Sequence, residues 1–440
     1  MKNMDKIEAR ILKIIDDHAE ELQALAQDLF DHAEQGFHEY ETAGKAAAFL
    51  KRLGLQTREK LAATGVKATI TNGEGPHIAL IGELDGLSCP SHPHATEKGF
   101  AHACGHYAQI ISILGAALAL TDPEVKEALN GSVTFFAVPA EEFLDASVRA
   151  EVLETEGIKY SGGKSELIRR GEFDDIDLSV TDHSLMVARG EAVDLLLGDS
   201  AASGFIGKTV YMHGKAAHAA AAPHEGVNAL NAASLAMSAL GMVRETFREK
   251  DYVRVHPYFR KGGEAINIVP SEVVVDMMVR AASLKAIEET SRKVDNCFKG
   301  AAMAIGAEAE IVDAQGYMPV PECPADEVLW RAADVLKEEK GIRVKEIPLG
   351  QQNAASTDLG DLAAIMPIVN FTFGGTTGAL HSRDFKVESP YIANIMPAHM
   401  MALTAYHLLK DGAKDAKRII SDYKPEFTKE EYLTYVEKMH

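Results

Sequence analysis

The pattern of apolar residues changes along the chain between helical and strand periodicity. From Asp5 to His32 apolar residues recur at helical spacing, which predicts an amphipathic helix packed on a core. Short apolar runs predict buried strands at His77–Glu83, Ser132–Val138, Leu178–Thr181 and Pro367–Phe373. Helices are predicted at Tyr107–Leu120, Asp326–Lys340 and Ile395–Leu409. Because strands alternate with helices, we predict an α/β fold with a mostly parallel sheet flanked by helices.

A middle segment, from about Ser200 to Asp313, has a different order of elements. Its pattern predicts a strand, a helix, two strands, a helix and a strand, at Phe205–His213, Gly226–Glu249, Tyr252–Arg260, Glu272–Val279, Leu284–Ile305 and Glu308–Val312. This β-α-β-β-α-β order is that of a ferredoxin-like α+β sandwich. Since the α/β pattern continues on both sides, we predict an inserted domain at residues 198–315. Residues 1–197 and 316–440 form the larger domain in this prediction.

Composition agrees with two domains and excludes some classes of partner. The chain has 440 residues, more than a single hydrophobic core usually accommodates. Its formal net charge of −20 repels phosphate backbones, so we expect no nucleic-acid binding. No apolar run is long enough for a membrane span, and we see no signal peptide. The 4 cysteines are too sparse for a disulfide framework, so we expect a cytoplasmic protein with reduced thiols.

Metal-binding side chains come after several of the predicted strands. Asp85, the pair Glu141 and Glu142, His183 and His381 each lie shortly after the end of a predicted buried strand. Active sites of open α/β sheets form at the carboxyl ends of the strands. We therefore expect these groups to lie close together.

Cys104 and His106 lie just before a predicted helix, separated by one glycine. A thiolate and an imidazole suit zinc or another borderline metal. A buried cysteine beside a surface histidine would give the same tripeptide, so the motif alone leaves both interpretations open. His92, His94 and His102 are close in sequence, and we interpret them as loop histidines without a role.

The adjacent carboxylates Glu141 and Glu142 repel each other, so one of them is usually protonated or bound to a cation. In a metal site one carboxylate can hold the ion while its neighbour accepts a proton from the attacking water. A solvated acidic turn is the alternative. The pair directly follows the apolar run Val-Phe-Phe-Ala-Val, and this position favours a metal site.

Six motifs follow one another along the chain: Gly82-Glu-Leu-Asp85-Gly-Leu, His102-Ala-Cys104-Gly-His106, Pro139-Ala-Glu141-Glu142, Gly214-Lys-Ala-Ala-His218-Ala-Ala, Asn267-Ile-Val-Pro270 and Ala379-Leu-His381. Taken in this order, they resemble those of the family 20 metallopeptidases, which include aminoacylases, glutamate carboxypeptidases and indole-acetyl-amino-acid hydrolases. The first motif and Ser356-Thr-Asp358-Leu-Gly-Asp361 are most similar to the aminobenzoyl-glutamate hydrolase branch. The resemblance extends from about His32 to about Leu409.

The resemblance implies a catalytic α/β domain with an inserted lid and dimerisation domain, and a homodimer formed through that lid. It also implies two divalent metal ions, for which we expect zinc or manganese, with cobalt or nickel as alternatives. The ligands implied by motif match are Cys104, His106, Glu142, His183 and His381, with Cys104 in the place of a bridging aspartate. Glu141 matches the general base, and Asp85 matches a carboxylate that orients a ligand.

Three lid residues match positions that contact the substrate. His218 matches a histidine that stabilises the oxyanion, often across a dimer, while Asn267 and Arg280 match positions that hold the substrate backbone and carboxylate. An arginine fork suits a carboxylate. In the alternative interpretation, His218 is a core residue of the lid and Arg280 forms a surface salt bridge.

The chain departs from the family pattern beside the proposed ligands. Tyr107 and Gln109 stand where relatives usually have Asp or Asn and a histidine, so we expect an altered pocket beside the metals. The loop Ser88–Phe100 is also unlike that of relatives, and its residues indicate no role for it.

The predicted reaction is hydrolysis of an amide bond next to a carboxylate by a metal-activated water, with Glu141 as general base. The substrate would be an N-acyl amino acid, an aminobenzoyl-glutamate-like conjugate or a dipeptide. A catalytically inactive metal-binding relative is the alternative, and the presence of Glu141 argues against it. A cysteine hydrolase is a poor third interpretation, because Cys104 and His106 share one turn and cannot easily act as nucleophile and base.

Overall fold

The computed structural model describes residues 4–185 and 193–438. Its contacts divide the chain into two compact units. The first unit comprises Met1–Ser200, Glu322–Gly350 and Leu362–Thr428, and the second comprises Ala201–Pro321, Gln351–Asp361 and Lys429–His440. Among the described residues, each helix is too short or too polar to cross a bilayer.

The strands and helices are numbered in chain order. The strands are Thr57–Leu61 (β1), Gly65–Asn72 (β2), His77–Glu83 (β3), Leu87–Ser88 (β4), Phe100–Ala101 (β5), Gly131–Val138 (β6), Leu178–Ser184 (β7), Leu195–Leu197 (β8), Ala201–Ala202 (β9), Gly204–His213 (β10), Arg254–Lys261 (β11), Glu272–Ala281 (β12), Glu308–Ala314 (β13), Val344–Glu346 (β14), Gln352–Asn353 (β15), Ile368–Phe373 (β16), Thr376–Thr377 (β17) and Lys386–Val387 (β18). The helices are Lys6–Asp17 (α1), Ala19–Asp31 (α2), Tyr40–Arg52 (α3), His106–Leu120 (α4), Pro123–Glu127 (α5), Ala146–Glu156 (α6), Gly163–Arg169 (α7), Ala229–Val243 (α8), Leu284–Ile305 (α9), Glu327–Lys340 (α10), Leu359–Ala363 (α11), Met396–Leu409 (α12), Lys414–Asp422 (α13) and Lys429–Glu437 (α14).

The first unit is built on an eight-stranded sheet with the order β1-β2-β6-β3-β7-β16-β8-β14. Its central strands β6, β3, β7 and β16 run parallel, while β1, β2 and β8 join by antiparallel pairing. Helix α4 is buried along its whole length because it packs on β3 on one side and on α1 and α12 on the other. The predicted α/β class with a mostly parallel sheet is confirmed.

The predicted helix from Asp5 to His32 is wrong in one respect, because it is interrupted at His18. Asp5 begins α1 with a capping box: its side chain accepts from the amides of Ile7 and Glu8, and the Glu8 side chain accepts from the Asp5 amide. His18, with φ −109° and ψ 8°, leaves the helical conformation between α1 and α2. Apolar periodicity alone does not reveal this break, since both helices bury one face.

The second unit contains a four-stranded antiparallel sheet with the order β11-β12-β10-β13. Helices α8 and α9 pack against it, so the elements follow the predicted β-α-β-β-α-β order. Helix α9 has the predicted bounds. The other predicted helix, Gly226–Glu249, is too long: α8 begins after Asn228, whose side chain accepts from the Asn231 amide, and gives way to a 3₁₀ turn at Arg244–Thr246.

Helix α7 lies unusually close to the turn that follows β6. The Gly163 amide donates to the Ala140 carbonyl at 2.8 Å. A Cβ atom at Gly163 would lie 1.7 Å from the Pro139 carbonyl oxygen, which is a backbone atom. Only glycine therefore allows this approach.

We expect Gly163→Ala to lower the free energy of unfolding by about 1–3 kcal/mol, because the overlap with backbone cannot be relieved by a side-chain rotation. Urea denaturation measures this change. Gly44→Ala is the matched control: Gly44 is exposed in α3, and no atom of the described residues outside its own helix lies within 4 Å of a Cβ built there. The control should gain about 0.5–1 kcal/mol from helix propensity. Wild-type stability of Gly163→Ala would contradict this interpretation of the close approach.

Candidate metal centre

The carboxyl ends of the central parallel strands meet at one edge of the large sheet, and they bring the predicted site residues of the first unit together. Asp85 follows β3, and Glu141 and Glu142 follow β6. His183 lies within the last residues of β7, and His381 lies on the loop after β16 and β17. Cys104 and His106 approach the same edge from the start of α4.

A glycine turn holds Cys104 and His106 against the end of β7. Gly105 between them has φ +88°, and a Cβ atom there would lie 2.6 Å from Ser184 Oγ. The Ser184 hydroxyl donates to the Cys104 carbonyl at 2.6 Å. This bond fixes the turn beside His183.

The first of two ligand triads consists of Cys104, His106 and His183, whose ligand atoms all lie within 4.8 Å of one another. The distance from Cys104 Sγ to His183 Nε2 is 3.5 Å. His183 Nδ1 donates to the Ser184 carbonyl at 2.8 Å, and His106 Nδ1 lies 3.1 Å from Asp85 Oδ1. Because their Nδ1 atoms are engaged in this way, both imidazoles turn Nε2 toward the site.

The second triad consists of Cys104, Glu142 and His381. His381 Nε2 lies 3.3 Å from Cys104 Sγ and 3.1 Å from Glu142 Oε1. The His381 amide donates to the Ala103 carbonyl at 2.9 Å, and the Glu142 amide donates to Asp85 Oδ2 at 2.9 Å. The two triads therefore share the Cys104 sulfur, and Asp85 contacts one member of each.

The charges in this cluster favour a cation. Burial raises the pKa of the Cys104 thiol, but the imidazoles of His106 and His183 outweigh burial and hold the pKa well below its ordinary value. Burial lowers the pKa of His183, yet the Cys104 thiolate brings it up to about 9. Close contacts with Cys104 and Glu142 raise the pKa of His381 to about 11. A thiolate that draws protons onto the surrounding imidazoles will also attract a divalent ion in their place.

The donor set fits a pair of divalent ions. His106 Nε2 and Glu142 Oε1 are buried and have no hydrogen-bond partner of normal geometry among the described residues. Oppositely charged atoms nevertheless lie near them, with Glu83 Oε2 at 3.2 Å and His381 Nε2 at 3.1 Å. His381 and Glu142 approach each other without hydrogen-bond geometry, as expected of two side chains that point at a common ion. A thiolate, imidazoles and a carboxylate are the ligands that zinc takes in proteins.

Glu141 lies beside the first triad. Its Oε2 atom is 4.0 Å from His106 Nε2, and it forms a further metal-capable group with Glu83 and His106. The preceding residue, Ala140, has φ +47°, and its amide donates to Glu39 Oε1 at 2.8 Å. Glu39 is fully buried and was not predicted from the sequence. It anchors the turn that carries both glutamates.

Glu39 is also electrostatically unusual. The Thr64 hydroxyl donates to its second oxygen at 2.6 Å. Burial, with the Asp85 charge adding to it, raises the pKa of Glu39 to about 8. The turn after β6 is thus held by a buried carboxyl group that accepts one hydrogen bond at each oxygen.

A buried ion pair that sequence reasoning missed lies behind His106. Lys164 Nζ donates to Glu83 Oε1 at 2.5 Å, and Gln109 Nε2 donates to Glu83 Oε2 at 2.8 Å. Burial opposes ionisation of Glu83, but the charges of Lys164 and His106 lower its pKa to about 2. The sequence does contain a sign that Glu83 needs a buried partner, because this carboxylate ends an otherwise apolar strand. The sequence held no comparable signal for Lys164.

The two departures from the family pattern have different surroundings. Gln109 contacts Glu83 twice, because its Oε1 atom also accepts the Glu83 amide at 3.0 Å. The Tyr107 hydroxyl donates to Asn394 Oδ1 at 3.0 Å, and its ring packs on Phe30 at a centroid distance of 5.0 Å. Tyr107 therefore lies in the core between helices, which does not agree with the expectation that it shapes the pocket.

His92 and His102 lie on loops, as interpreted from the sequence, but both side chains are buried. His102 packs on the Tyr107 ring at 5.7 Å, and burial lowers its pKa to about 3. His94 is exposed and pairs with Asp31 Oδ1 at 2.7 Å.

The predicted lid residues all lie in the second unit. His218 is exposed, so it is not a core residue, and its Nδ1 atom accepts the amides of Ala220 and Ala221 at 3.2 and 3.1 Å. The imidazole hydrogen of the neutral ring must therefore lie on Nε2, which makes Nε2 a donor. The Ala219 amide donates to the Asn267 carbonyl at 3.0 Å, so Asn267 lies beside His218.

Arg280 lies near the end of β12 in the same unit. Its Nη1 atom donates to Ser356 Oγ at 3.3 Å, and its guanidinium lies 5.4 Å from the centroid of the Phe205 ring. The contact with Ser356 shows that the predicted aminobenzoyl-glutamate-like motif, which begins at Ser356, packs within this unit.

Comparisons with known proteins agree with the motifs. Residues 200–304 match the peptidase dimerisation domain of the M20 family. The human Xaa-Arg dipeptidase is 27% identical over 460 residues, which cover 99% of this chain and 96% of that protein. One of the p-aminobenzoyl-glutamate hydrolase chains of Escherichia coli is 28% identical over 63% of this chain and 54% of its own length.

A solved structure of a dinuclear metal-binding M20 peptidase from Bacillus subtilis has the same fold. It is 20% identical in sequence, has a TM-score of 0.64, and covers 90% of this chain and 99% of its own. The chain therefore contains an M20 peptidase dimerisation domain at residues 200–304, and it is similar to M20 peptidases and amidohydrolases over nearly its whole length.

Proposed function

We propose that the protein hydrolyses an amide bond next to a carboxylate, with two divalent ions held by Cys104, His106, Glu142, His183 and His381. The observation that carries the proposal is the pair of ligand triads that share one thiolate. A shared ligand suits two ions that lie close together, as in two-metal hydrolases. We infer zinc or manganese as the native metal: the thiolate and the imidazoles suit zinc, whereas carboxylate ligands suit manganese.

The ions, when bound, would supply an activated water and polarise the amide carbonyl. Glu141 is the group in position to accept the proton of the attacking water, since its carboxylate lies beside the first triad without belonging to either triad. The same carboxyl group can return the proton to the leaving amine. Asp85 fixes His106 through one oxygen and the Glu142 backbone through the other. These two contacts hold the proposed ligands and the neighbouring base, Glu141, at fixed positions relative to each other.

We assign the substrate contacts to the second unit. His218 Nε2 carries a hydrogen and is suited to donate to the oxyanion. Asn267 and Arg280 would hold the substrate backbone and carboxylate, and the guanidinium fork matches a carboxylate in geometry. A homodimer formed through the dimerisation domain is part of the proposal.

The substrate class is an N-acyl amino acid, an aminobenzoyl-glutamate-like conjugate or a dipeptide. The names of the relatives support this class, since one is a dipeptidase that acts at arginine and another hydrolyses aminobenzoyl-glutamate. Both names describe an amide whose amine side carries a carboxylate.

The proposal is tested by metal content and hydrolysis measured together. Elemental mass spectrometry should find about two ions per chain after loading with zinc or manganese. A panel of N-acetyl amino acids, aminobenzoyl-glutamate and Xaa-Arg dipeptides should include a substrate whose hydrolysis stops with a chelator. Glu141→Gln should keep the metal and lose about 10²–10⁴-fold in kcat, because the amide cannot accept the proton. Wild-type turnover by this variant would show that Glu141 is not the general base.

Because both triads share the Cys104 thiolate, we expect different metal contents for variants of Cys104 and of His381. Cys104→Ala should reduce the occupancy of both ions, whereas His381→Ala should reduce only one, because His381 belongs to a single triad. Cys89→Ala is the control, since Cys89 is also a buried free thiol but lies outside both triads. If Cys104→Ala binds as much metal as the control, the shared-ligand assignment is wrong.

Because Nε2 of His218 is a donor, we expect that removing this side chain lowers the rate of hydrolysis and leaves the metal content unchanged. His218→Ala should lower kcat/KM by about 10²–10³-fold, the usual effect of removing one oxyanion donor. The matched control is His224→Ala, because His224 is exposed on the neighbouring 3₁₀ turn. Equal kcat/KM values for the two variants would show that the His218 side chain does not contribute to the reaction.

A further inference from the structure

The loop between β4 and β5, for which the sequence indicated no role, contains one buried side chain at an unexpected place. His92 is only 4% exposed, although its neighbours Ser91, Pro93 and His94 are exposed. A buried imidazole in a polar loop must have both ring nitrogens satisfied, or it would cost free energy. The partners of His92 therefore indicate what the loop does.

Both nitrogens of His92 are engaged. Nδ1 accepts the amide of His94 at 3.2 Å, so the ring hydrogen lies on Nε2. Nε2 donates to the carbonyl of Phe385 at 2.8 Å. The hydrogen bond joins two segments that are 293 positions apart in the chain.

The partner segment, residues 379–385, carries the proposed ligand His381. Its backbone is held at two points: the His381 amide donates to the Ala103 carbonyl at 2.9 Å, and the Phe385 carbonyl accepts from His92. His381 has φ +58°, a conformation that non-glycine residues adopt only with outside support. The side chain of His381 is 51% exposed, so packing around the imidazole gives little of that support.

The loop that carries His92 is itself braced. The Cys89 amide donates to the Gly99 carbonyl at 2.9 Å, and the Thr96 amide donates to the Phe100 carbonyl at 2.8 Å. The His92 ring packs edge-on against Phe30 of α2 at a centroid distance of 6.0 Å. His92 is therefore held in place by contacts other than the one to the His381 segment.

We propose that His92 is a positioning residue, which holds the turn at residues 379–385 through the Phe385 carbonyl and so keeps His381 in place as a ligand. The inference rests on the proposed function in that it assumes the Cys104–Glu142–His381 triad binds an ion. Among the described residues, the hydrogen bonds and ring contacts of His92 do not include Cys104, Glu142 or His381, so its effect on the ion would be indirect.

The effect should be confined to one of the two ions. His106 and His183 are oriented by Asp85 and by the Ser184 carbonyl, and neither contact involves the turn at residues 379–385. Loss of the His92 bond therefore weakens the second triad and leaves the first unchanged. A purely structural role of His92 would weaken both ions alike, through general loss of stability.

The experiment compares three variants of the full-length protein in zinc titrations against a chromophoric chelator. His92→Phe keeps the ring and loses the donor, and it should weaken one of the two ions by about 10–100-fold, the usual cost of losing a contact that orients a ligand. His92→Gln keeps an amide donor at the position of Nε2 and should recover most of that loss. His94→Ala, on the same loop, should bind both ions as the wild type does, because the His94 side chain pairs with Asp31 instead.

A fourth variant keeps the test decisive if the phenylalanine variant fails to fold. His92→Asn differs from His92→Gln by one methylene, which leaves its amide too short to reach the Phe385 carbonyl, so it should behave like the phenylalanine variant. Unchanged affinity for both ions in His92→Asn, or an equal loss for both ions, would overturn the inference. If the wild-type protein binds two ions but hydrolyses no substrate, the proposed activity fails, while the affinities of the variants still decide the role of His92.

Discussion

The candidate metal site depends on one sulfur atom, which faces two groups of metal-capable side chains at once. Cys104 can do so because Gly105 bends the chain in the left-handed region directly before α4. The bend leaves the thiolate between His183 at the end of β7 and His381 on the loop after β16. Four central strands must therefore run parallel, since only then do their carboxyl ends converge on the start of a single helix.

Such a cluster of charges is costly to bury, and opposite charges within the cluster compensate each other while backbone hydrogen bonds fix the segments that carry them. Asp85 orients His106 with one oxygen and binds the Glu142 amide with the other. Glu39 accepts the amide of Ala140, and the Gly163 amide binds the carbonyl of the same residue. The backbone of the turn that carries Glu141 and Glu142 is thus fixed by hydrogen bonds at both the amide and the carbonyl of Ala140. These bonds do not use the two glutamate side chains.

Side chains placed by the ends of strands could be predicted from the sequence, whereas side chains placed by long-range packing could not. Asp85, Glu141 and Glu142 stood directly after apolar runs, so the parallel sheet alone was enough to bring them together. The pairing of Glu83 with Lys164 joins residues 81 positions apart, and neither periodicity nor a motif marks Lys164. The burial of His92 within a polar loop could not be predicted, because the residues it contacts, Phe30 and Phe385, come from distant segments. The roles of the ligands, of Glu141 and of the lid residues remain predictions.

The two triads differ in how firmly the protein holds them, and this difference has a chemical consequence. The side chain of His106 is fully buried, whereas that of His381 is 51% exposed and sits on a loop. The two triads share the buried Cys104 and therefore differ mainly in their histidines. If both triads bind ions as proposed, one ion would have the fully buried His106 among its ligands, whereas the other would have a ligand, His381, whose side chain is half exposed. The position of the second ion would then depend more on the backbone contacts of the loop that carries His381 than on packing around its imidazole.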